Sequence, residues 1–201
     1  MRSQTIEVAG VTCLAIRVSF TGDLGWELHC AESDQIRLYS ALIEAAKEFD
    51  GGPVGGRALG SLRIEKGYGS WSREYSQEYW AHEVGLDGLV KLDKDFLHKD
   101  AYLAVKDKPA REVLSYFEIE TPHNADAAGG EPIFTPDGKS VGRVSSGAYG
   151  YTVGKSLAVG FANPEVAGPG DAVEIMILGL PHKARILETP AFDPKGARLR
   201  A

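Results

Sequence analysis

The chain has little of what most often announces a function. Its 201 residues include only two cysteines, Cys13 and Cys30, so at most one disulfide can form. Five histidines (His29, His82, His98, His123 and His182) are scattered without the short spacings that tetrahedral metal sites use. Cations are not in excess: 22 Lys and Arg against 28 Asp and Glu leave a net charge of −6. Nucleic acid and anionic membranes need clustered positive charge, so this balance argues against both. No apolar run approaches the roughly 20 residues that cross a bilayer. The opening Met1-Arg2-Ser3-Gln4-Thr5 is followed by no hydrophobic stretch of signal-peptide length. A cytoplasmic location is the expectation. No serine stands in a nucleophile-elbow sequence, and no residue declares itself a catalytic base.

What is present is an ordinary globular composition, 43% hydrophobic and 25% charged, in a chain long enough for one large domain or two modest ones. Residues 11–20 alternate, with Leu14, Ile16, Val18 and Phe20 apolar around Arg17 and Ser19, which predicts a half-buried strand. Residues 26–30 supply a short partner. A flush pairing around residues 21–25 sets Phe20 opposite Trp26, Val18 opposite Leu28 and Ile16 opposite Cys30. Cys13 and Cys30 then point to opposite faces, which predicts two reduced thiols and no bridge. Residues 35–49 carry Ile36, Tyr39, Leu42, Ile43, Ala46 and Phe49 at helical spacing, closed by Gly51-Gly52-Pro53. A second helix is expected over 58–66, with Leu59, Leu62 and Ile64 inward and Arg63, Glu65 and Lys66 mostly outward. A short strand over 89–92 and a third helix over 99–106 complete a mixed α/β part. After Lys106-Asp107-Lys108-Pro109 the pattern changes to six short strands, over 112–120, 132–135, 140–148, 156–161, 171–178 and 182–188. Pro136-Asp137-Gly138, Asn163-Pro164 and Gly168-Pro169-Gly170 punctuate them, as in a small antiparallel barrel or sandwich. The boundary is placed near residue 108, giving domains 1–108 and 109–201.

The turn Phe20-Thr21-Gly22-Asp23-Leu24-Gly25-Trp26-Glu27-Leu28 plants one carboxylate just beyond a glycine-bracketed loop. In the flush register Glu27 shares a face with His29, Ser19 and Arg17, and two roles are open to it. One is a cross-strand ion pair with Arg17 on a solvated face, worth under about 1 kcal/mol. The other is a carboxylate accepting two parallel N–H bonds from a planar ligand such as a pterin, with Phe20 or Trp26 covering a ring face. The run Gly51-Gly52-Pro53-Val54-Gly55-Gly56-Arg57 follows a helix, not a strand, and no Lys-Ser or Lys-Thr pair comes after it, so it is read as an interhelical loop. Arg57 there could meet a ligand carboxylate or stay solvated. The aromatic stretch from Tyr68 and Trp71 to Tyr79 and Trp80 is packing, a cleft wall or a partner surface.

Taken in order, Val18 to Leu28, Arg57-Ala58-Leu59-Gly60-Ser61-Leu62-Arg63-Ile64-Glu65-Lys66-Gly67-Tyr68, Val90-Lys91-Leu92-Asp93-Lys94-Asp95-Phe96, Val141-Gly142-Arg143-Val144-Ser145-Ser146-Gly147 and Gly154-Lys155-Ser156-Leu157-Ala158 resemble the glycine-cleavage T-protein (aminomethyltransferase) family. The Trp26-Glu27-Leu28 form and the ending Asp193-Pro194-Lys195-Gly196-Ala197-Arg198-Leu199-Arg200 are more similar to dimethylglycine and sarcosine dehydrogenases. The resemblance implies an α+β chain, part of an α/β, ferredoxin-like folate-binding lobe followed by a small antiparallel β-barrel. It implies tetrahydrofolate as the cofactor. Glu27 would hold the pterin edge, Phe20 would take a tyrosine's place near the ligand, Leu28 and His29 would lie alongside, and Arg57 is a possible substitute for the family's arginine at Leu59. FAD belongs, if anywhere, to a domain outside these residues. The implied activity is one-carbon transfer from an N-methyl or aminomethyl donor to tetrahydrofolate, with folate and a small methylated amine as partners. A second polypeptide could supply an N-terminal lobe. A demethylase relative using another methyl donor, or a non-catalytic binding or assembly subunit of the same fold, is the alternative.

Overall fold

The computed structural model describes residues 2–121 and 125–200, so His123 lies outside the described residues. The architecture is α+β, a small sheet-and-helix region followed by a closed six-stranded antiparallel barrel. Contacts divide the chain into two compact units, residues 1–60 with 195–201 and residues 61–194.

In the first unit β1 (Ser3–Val8), β2 (Val11–Arg17) and β3 (Trp26–His29) form an antiparallel sheet in that order. The sequence pattern does not predict β1. Its signal is the Ala9-Gly10 pair, whose φ values of 53° and 72° make the two-residue turn that joins Val8 to its partner Val11. Helix α1 (Gln35–Ala46) follows and tightens into a single 3-10 turn, Lys47–Phe49.

The β2–β3 register differs from the flush pairing. Arg17 lies opposite Trp26, Ile16 opposite Glu27, Ala15 opposite Leu28 and Leu14 opposite His29. The offset is an odd number of residues, so it turns the faces over. Its cause is local. Ser19 Oγ accepts the N–H groups of Thr21 and Gly22 at 3.3 and 2.9 Å, and Gly22 sits at φ 84°. Residues 18–25 are thereby folded into a compact loop and withdrawn from the strand. Val11, Cys13 and Ala15 form the buried face, with Val11 and Cys13 packed against Leu38 of α1. Leu14, expected inward, is 42% exposed. Cys30 packs with Cys13 in one cluster, not on the opposite face, and both thiols are free.

Helix α1 departs from expectation in the same sense. Leu38 is its one buried residue, while Ile36 and Phe49 beyond it are 81% and 83% exposed and Tyr39 is exposed as well. Three short strands are too narrow to cover so broad an apolar stripe.

The division between units falls inside α2 (Gly56–Glu65). Its faces depart from expectation in part: Ile64 is buried as expected, but Arg63, Glu65 and the following Lys66 are buried too, and Leu59 is exposed. Backbone partners make this possible. Ser61 Oγ donates to the Tyr149 carbonyl at 2.6 Å, and Glu65 Oε1 accepts the N–H groups of Thr152 and Val153 at 2.6 and 3.2 Å. Ile64 packs on Leu157 and Val159 beside them. Residues 89–92 are not a strand; a 3-10 turn covers Asp87–Leu89. Helix α3 is Lys99–Leu103.

The remaining strands are β4 (Val113–Ile119), β5 (Pro132–Phe134), β6 (Ser140–Gly150), β7 (Lys155–Ala162), β8 (Ala172–Ile177) and β9 (Leu180–Leu187). They close in the order β4-β7-β6-β5-β8-β9, which leaves no unpaired edge. Phe117, Ile133, Val144, Ile175 and Ile186 fill the interior.

Candidate functional site

The loop that presents Glu27 is held by the chain's own C-terminal segment. Arg198 Nε donates to Asp23 Oδ1 at 2.6 Å, and Arg17 Nη2 donates to the Leu199 carbonyl at 2.8 Å. The Arg17 guanidinium also lies 5.8 Å from the centroid of the Trp26 ring. Arg17 is therefore engaged elsewhere, and the expected diagonal pair with Glu27 is not formed. The partner of Glu27 is His29, with Nε2 and Oε2 3.2 Å apart. Residues two apart on a strand share a face, and here that face is the open one, across from Leu14 and Ile16. The Glu27 side chain is 61% exposed.

The other candidates separate from this pair. Leu28 turns to the helix side, where Trp26, Leu28, His29 and Cys30 with Leu38, Tyr39 and Leu42 of α1 line a cleft of about 580 Å³. Glu27 does not line that cleft. Phe20 is partly exposed in the loop, and Arg57 is exposed in the first turn of α2. Glu27 and His29 are thus the two predicted residues brought into contact.

The second unit contains buried carboxylates that the sequence pattern does not flag. Glu74 is fully buried; it accepts from Ser70 N–H at 2.6 Å, Ser145 Oγ at 2.5 Å, Ser146 Oγ and Arg63 Nη1 at 3.3 Å. Burial pushes its carboxyl up, but the two serine hydroxyls, the Ser70 N–H and the Arg63 charge outweigh that and hold it below the usual range. Glu83 is buried too. It accepts from the Trp80 and Arg111 N–H groups at 2.9 and 3.4 Å and from Arg111 Nε at 3.4 Å. Its partners likewise outweigh burial and lower its carboxyl. The Glu74 partners Ser145 and Ser146 are more than 70 positions away in the chain, so no local pattern could reveal them.

A polar cleft of about 660 Å³ lies in the same unit, walled by Tyr79, Arg111, Glu112 and Arg143. Arg143 Nη1 donates to both Glu112 oxygens at 3.2 Å, and Nη2 donates to Tyr79 Oη at 2.5 Å. The Tyr79 ring stacks on Phe161 at 3.9 Å. Burial raises the Tyr79 phenol, and Glu112 raises it further. Arg143 and Arg111 are already paired with carboxylates, so this is an ion-pair network bracing the barrel. Among the described residues, no group of three or more His, Cys, Asp or Glu side chains is placed to hold a metal ion.

Comparison with known proteins agrees with this architecture. Residues 1–94 match the family model described as the GCVT N-terminal domain, and residues 113–193 match the glycine cleavage T-protein C-terminal barrel domain. Dimethylglycine dehydrogenase of Homo sapiens, a mitochondrial protein, is 34% identical over the whole chain, which covers 23% of that relative. The 4-methylaminobutanoate oxidase (formaldehyde-forming) of Paenarthrobacter nicotinovorans is 32% identical over 97% of the chain and 24% of its own length. Aminomethyltransferase of Thermotoga petrophila is 33% identical over 86% of the chain and 46% of its own length. In fold, the chain superposes on the glycine cleavage system aminomethyltransferase T from Bartonella henselae with a TM-score of 0.80 at 19% identity. That match covers 90% of the chain and 50% of the other protein. The chain therefore spans about a quarter of the dehydrogenase's length and about half of the aminomethyltransferases'.

Proposed function

The chain belongs to the glycine-cleavage T-protein (aminomethyltransferase) family, and on that footing we propose that it forms part of a tetrahydrofolate site serving one-carbon transfer. Residues 1–108 are the C-terminal part of a ferredoxin-like folate-binding lobe, and residues 109–201 are the barrel domain. The methyl or aminomethyl donor is a small N-methylated or protein-bound amine. Any FAD is carried by another domain.

One observation carries this reading: Glu27 stands on an open sheet face with His29 as its partner. His29 occupies Oε2 alone, so rotation of the imidazole frees both oxygens toward one side. Two carboxylate oxygens side by side fit the adjacent ring N–H and exocyclic amine of a pterin, and the paired charge-assisted bonds orient it. When bound, the folate supplies the amine that accepts the one-carbon unit. Phe20 of the adjoining loop contributes apolar surface and Arg57 a cation for the ligand's carboxylate, whereas Leu28 faces the helix side and backs the strand from behind. Calorimetric titration of tetrahydrofolate against the wild-type chain and Glu27→Ala tests the assignment. Affinity should fall at least about tenfold in the variant, the weight of one charge-assisted contact; equal isotherms would remove Glu27 from the site.

The uncovered stripe of α1 supports a completing lobe from another segment or polypeptide. Ile36 and Tyr39 of α1, with Phe49 of the turn after it, are large apolar side chains left in solvent, and Ile36 and Tyr39, three residues apart on one side of the helix, are the part of that surface a partner would cover. Ile36→Ser with Tyr39→Ser is expected to change the stability of the isolated chain by no more than about 0.5 kcal/mol. The same change should abolish binding to the N-terminal half of an aminomethyltransferase in sedimentation. Unchanged complex formation would show that the stripe is not the docking face.

A further inference from the structure

The β2–β3 register has a consequence for the two thiols. The Arg17 N–H donates to the Arg2 carbonyl at 2.9 Å, so Arg17 aims its backbone groups at β1. By alternation Ala15 and Cys13 do the same, and Leu14 and Ile16 bond to β3. Ile16–Glu27 and Leu14–His29 are then the hydrogen-bonded pairs, and Ala15–Leu28 is a non-hydrogen-bonded pair. Carried one step past its last pair, Leu14–His29, the same register sets Cys13 opposite Cys30, just beyond the end of β3 and at a non-hydrogen-bonded position. There the Cα atoms of opposed residues stand about 4.5 Å apart and their side chains come closest, within the roughly 4.4–6.8 Å span that disulfides bridge. Both cysteines belong to one packed cluster with Val11, Leu28 and Leu38, and both are free thiols.

We propose that Cys13 and Cys30 are a thiol-oxidation site, forming a reversible cross-strand disulfide that fastens β3, the strand bearing Glu27, to β2. The two cysteines have unequal roles. Cys13 is 1% exposed and its Sγ–H donates to the Val11 carbonyl at 3.5 Å; burial first, and then the nearby Cys30 and Asp34, raise its thiol. Cys30 is half-buried and lines the cleft beside α1, so it is the one a reagent reaches. The oxidant is a low-molecular-weight disulfide of the glutathione class. Cys30 Sγ loses its proton and attacks one sulfur; that S–S bond breaks and the first small thiolate leaves, taking up a proton. Cys13 Sγ then loses its proton and attacks the Cys30 sulfur of the mixed disulfide, expelling the second small thiolate. Two protein thiols are oxidised, one small disulfide is reduced, and two small thiols are released. Excess small thiol reverses both steps.

The test is incubation of the full chain in graded ratios of oxidised to reduced glutathione, followed by alkylation and peptide mass mapping without reductant. The expected product is a monomer in which both cysteines resist alkylation and the Cys13 peptide is linked to the Cys30 peptide. Hydrogen exchange at the backbone of residues 26–29 should slow by about tenfold or more in that form, because opening of β3 then requires parting a covalent link. Cys13→Ser should instead accumulate a stable mixed disulfide at Cys30. The proposal is overturned if the wild-type chain stops at that mixed disulfide, if it links to a second copy through Cys30, or if both thiols stay alkylatable at every ratio.

Discussion

Glu74→Ala is expected to destabilise the barrel-containing unit by about 3–5 kcal/mol, the cost of leaving one member of a buried ion pair without its partner. Arg63 is buried beside it, and Ser146 Oγ and the Ser70 N–H would lose this acceptor together, while Ser145 Oγ keeps the Val159 carbonyl. Glu74→Gln keeps acceptor capacity while removing the charge, so it should lose less. Urea unfolding of the three proteins measures the order; a wild-type midpoint in the alanine variant would mean the network contributes nothing. The pH dependence has a definite sign. The folded carboxyl lies below its unfolded value, which is near about 4.3 for glutamate, so its contribution is complete above that value. It is lost as pH falls through the lower, folded value. Glu83, also lowered, acts in the same direction. The gap between wild type and Glu74→Gln should therefore be wide at neutral pH and narrow in acid, and a constant gap would assign the loss to packing.

Gly142→Ala should be comparably severe for a different reason. Gly142 pairs with Ala162 in the β6–β7 ladder, and a Cβ there would fall 1.9 Å from the Phe161 carbonyl oxygen. That neighbour is backbone inside a closed barrel and cannot rotate away, so the strands must part. Overpacking of this kind costs about 3 kcal/mol or more when the obstruction cannot relax. Gly60→Ala is the matching control. It sits in α2 with nothing within 4 Å of a Cβ, and it should gain about 0.5–1 kcal/mol from reduced backbone entropy. Thermal melts of both variants check the pair, and a Gly142→Ala protein melting with wild type would contradict the close approach.

The barrel was largely legible because its signals are local. Short alternating runs between Pro-Asp-Gly, Asn-Pro and Gly-Pro-Gly turns specify strands one at a time, but the order in which they close, β4-β7-β6-β5-β8-β9, joins strands far apart in the chain and is not written in those local signals. Candidate residues could be proposed from the turn and the resemblance, but their placement could not be read. Glu27 and His29 could be named from the turn, yet their face depended on whether residues 18–20 extend β2. The Ser19 hydroxyl decides that by binding the Thr21 and Gly22 amides, a choice that apolar alternation does not encode. Arg63 and Glu65 on α2, and Lys66 just after it, defeat periodicity in the same way, since burial of a charge depends on partners elsewhere in the chain.

By itself, the sequence determined the strand content of the barrel, the helical stretches of the first unit and the acidic turn, all set by neighbours a few residues apart. Only tertiary structure decided the β2–β3 register, the open face of Glu27, the meeting of Cys13 with Cys30 and the buried carboxylates. The physical reason is that pairing offset and charge burial are settled by contacts between distant segments. An odd shift of a strand exchanges its two faces without changing a single residue.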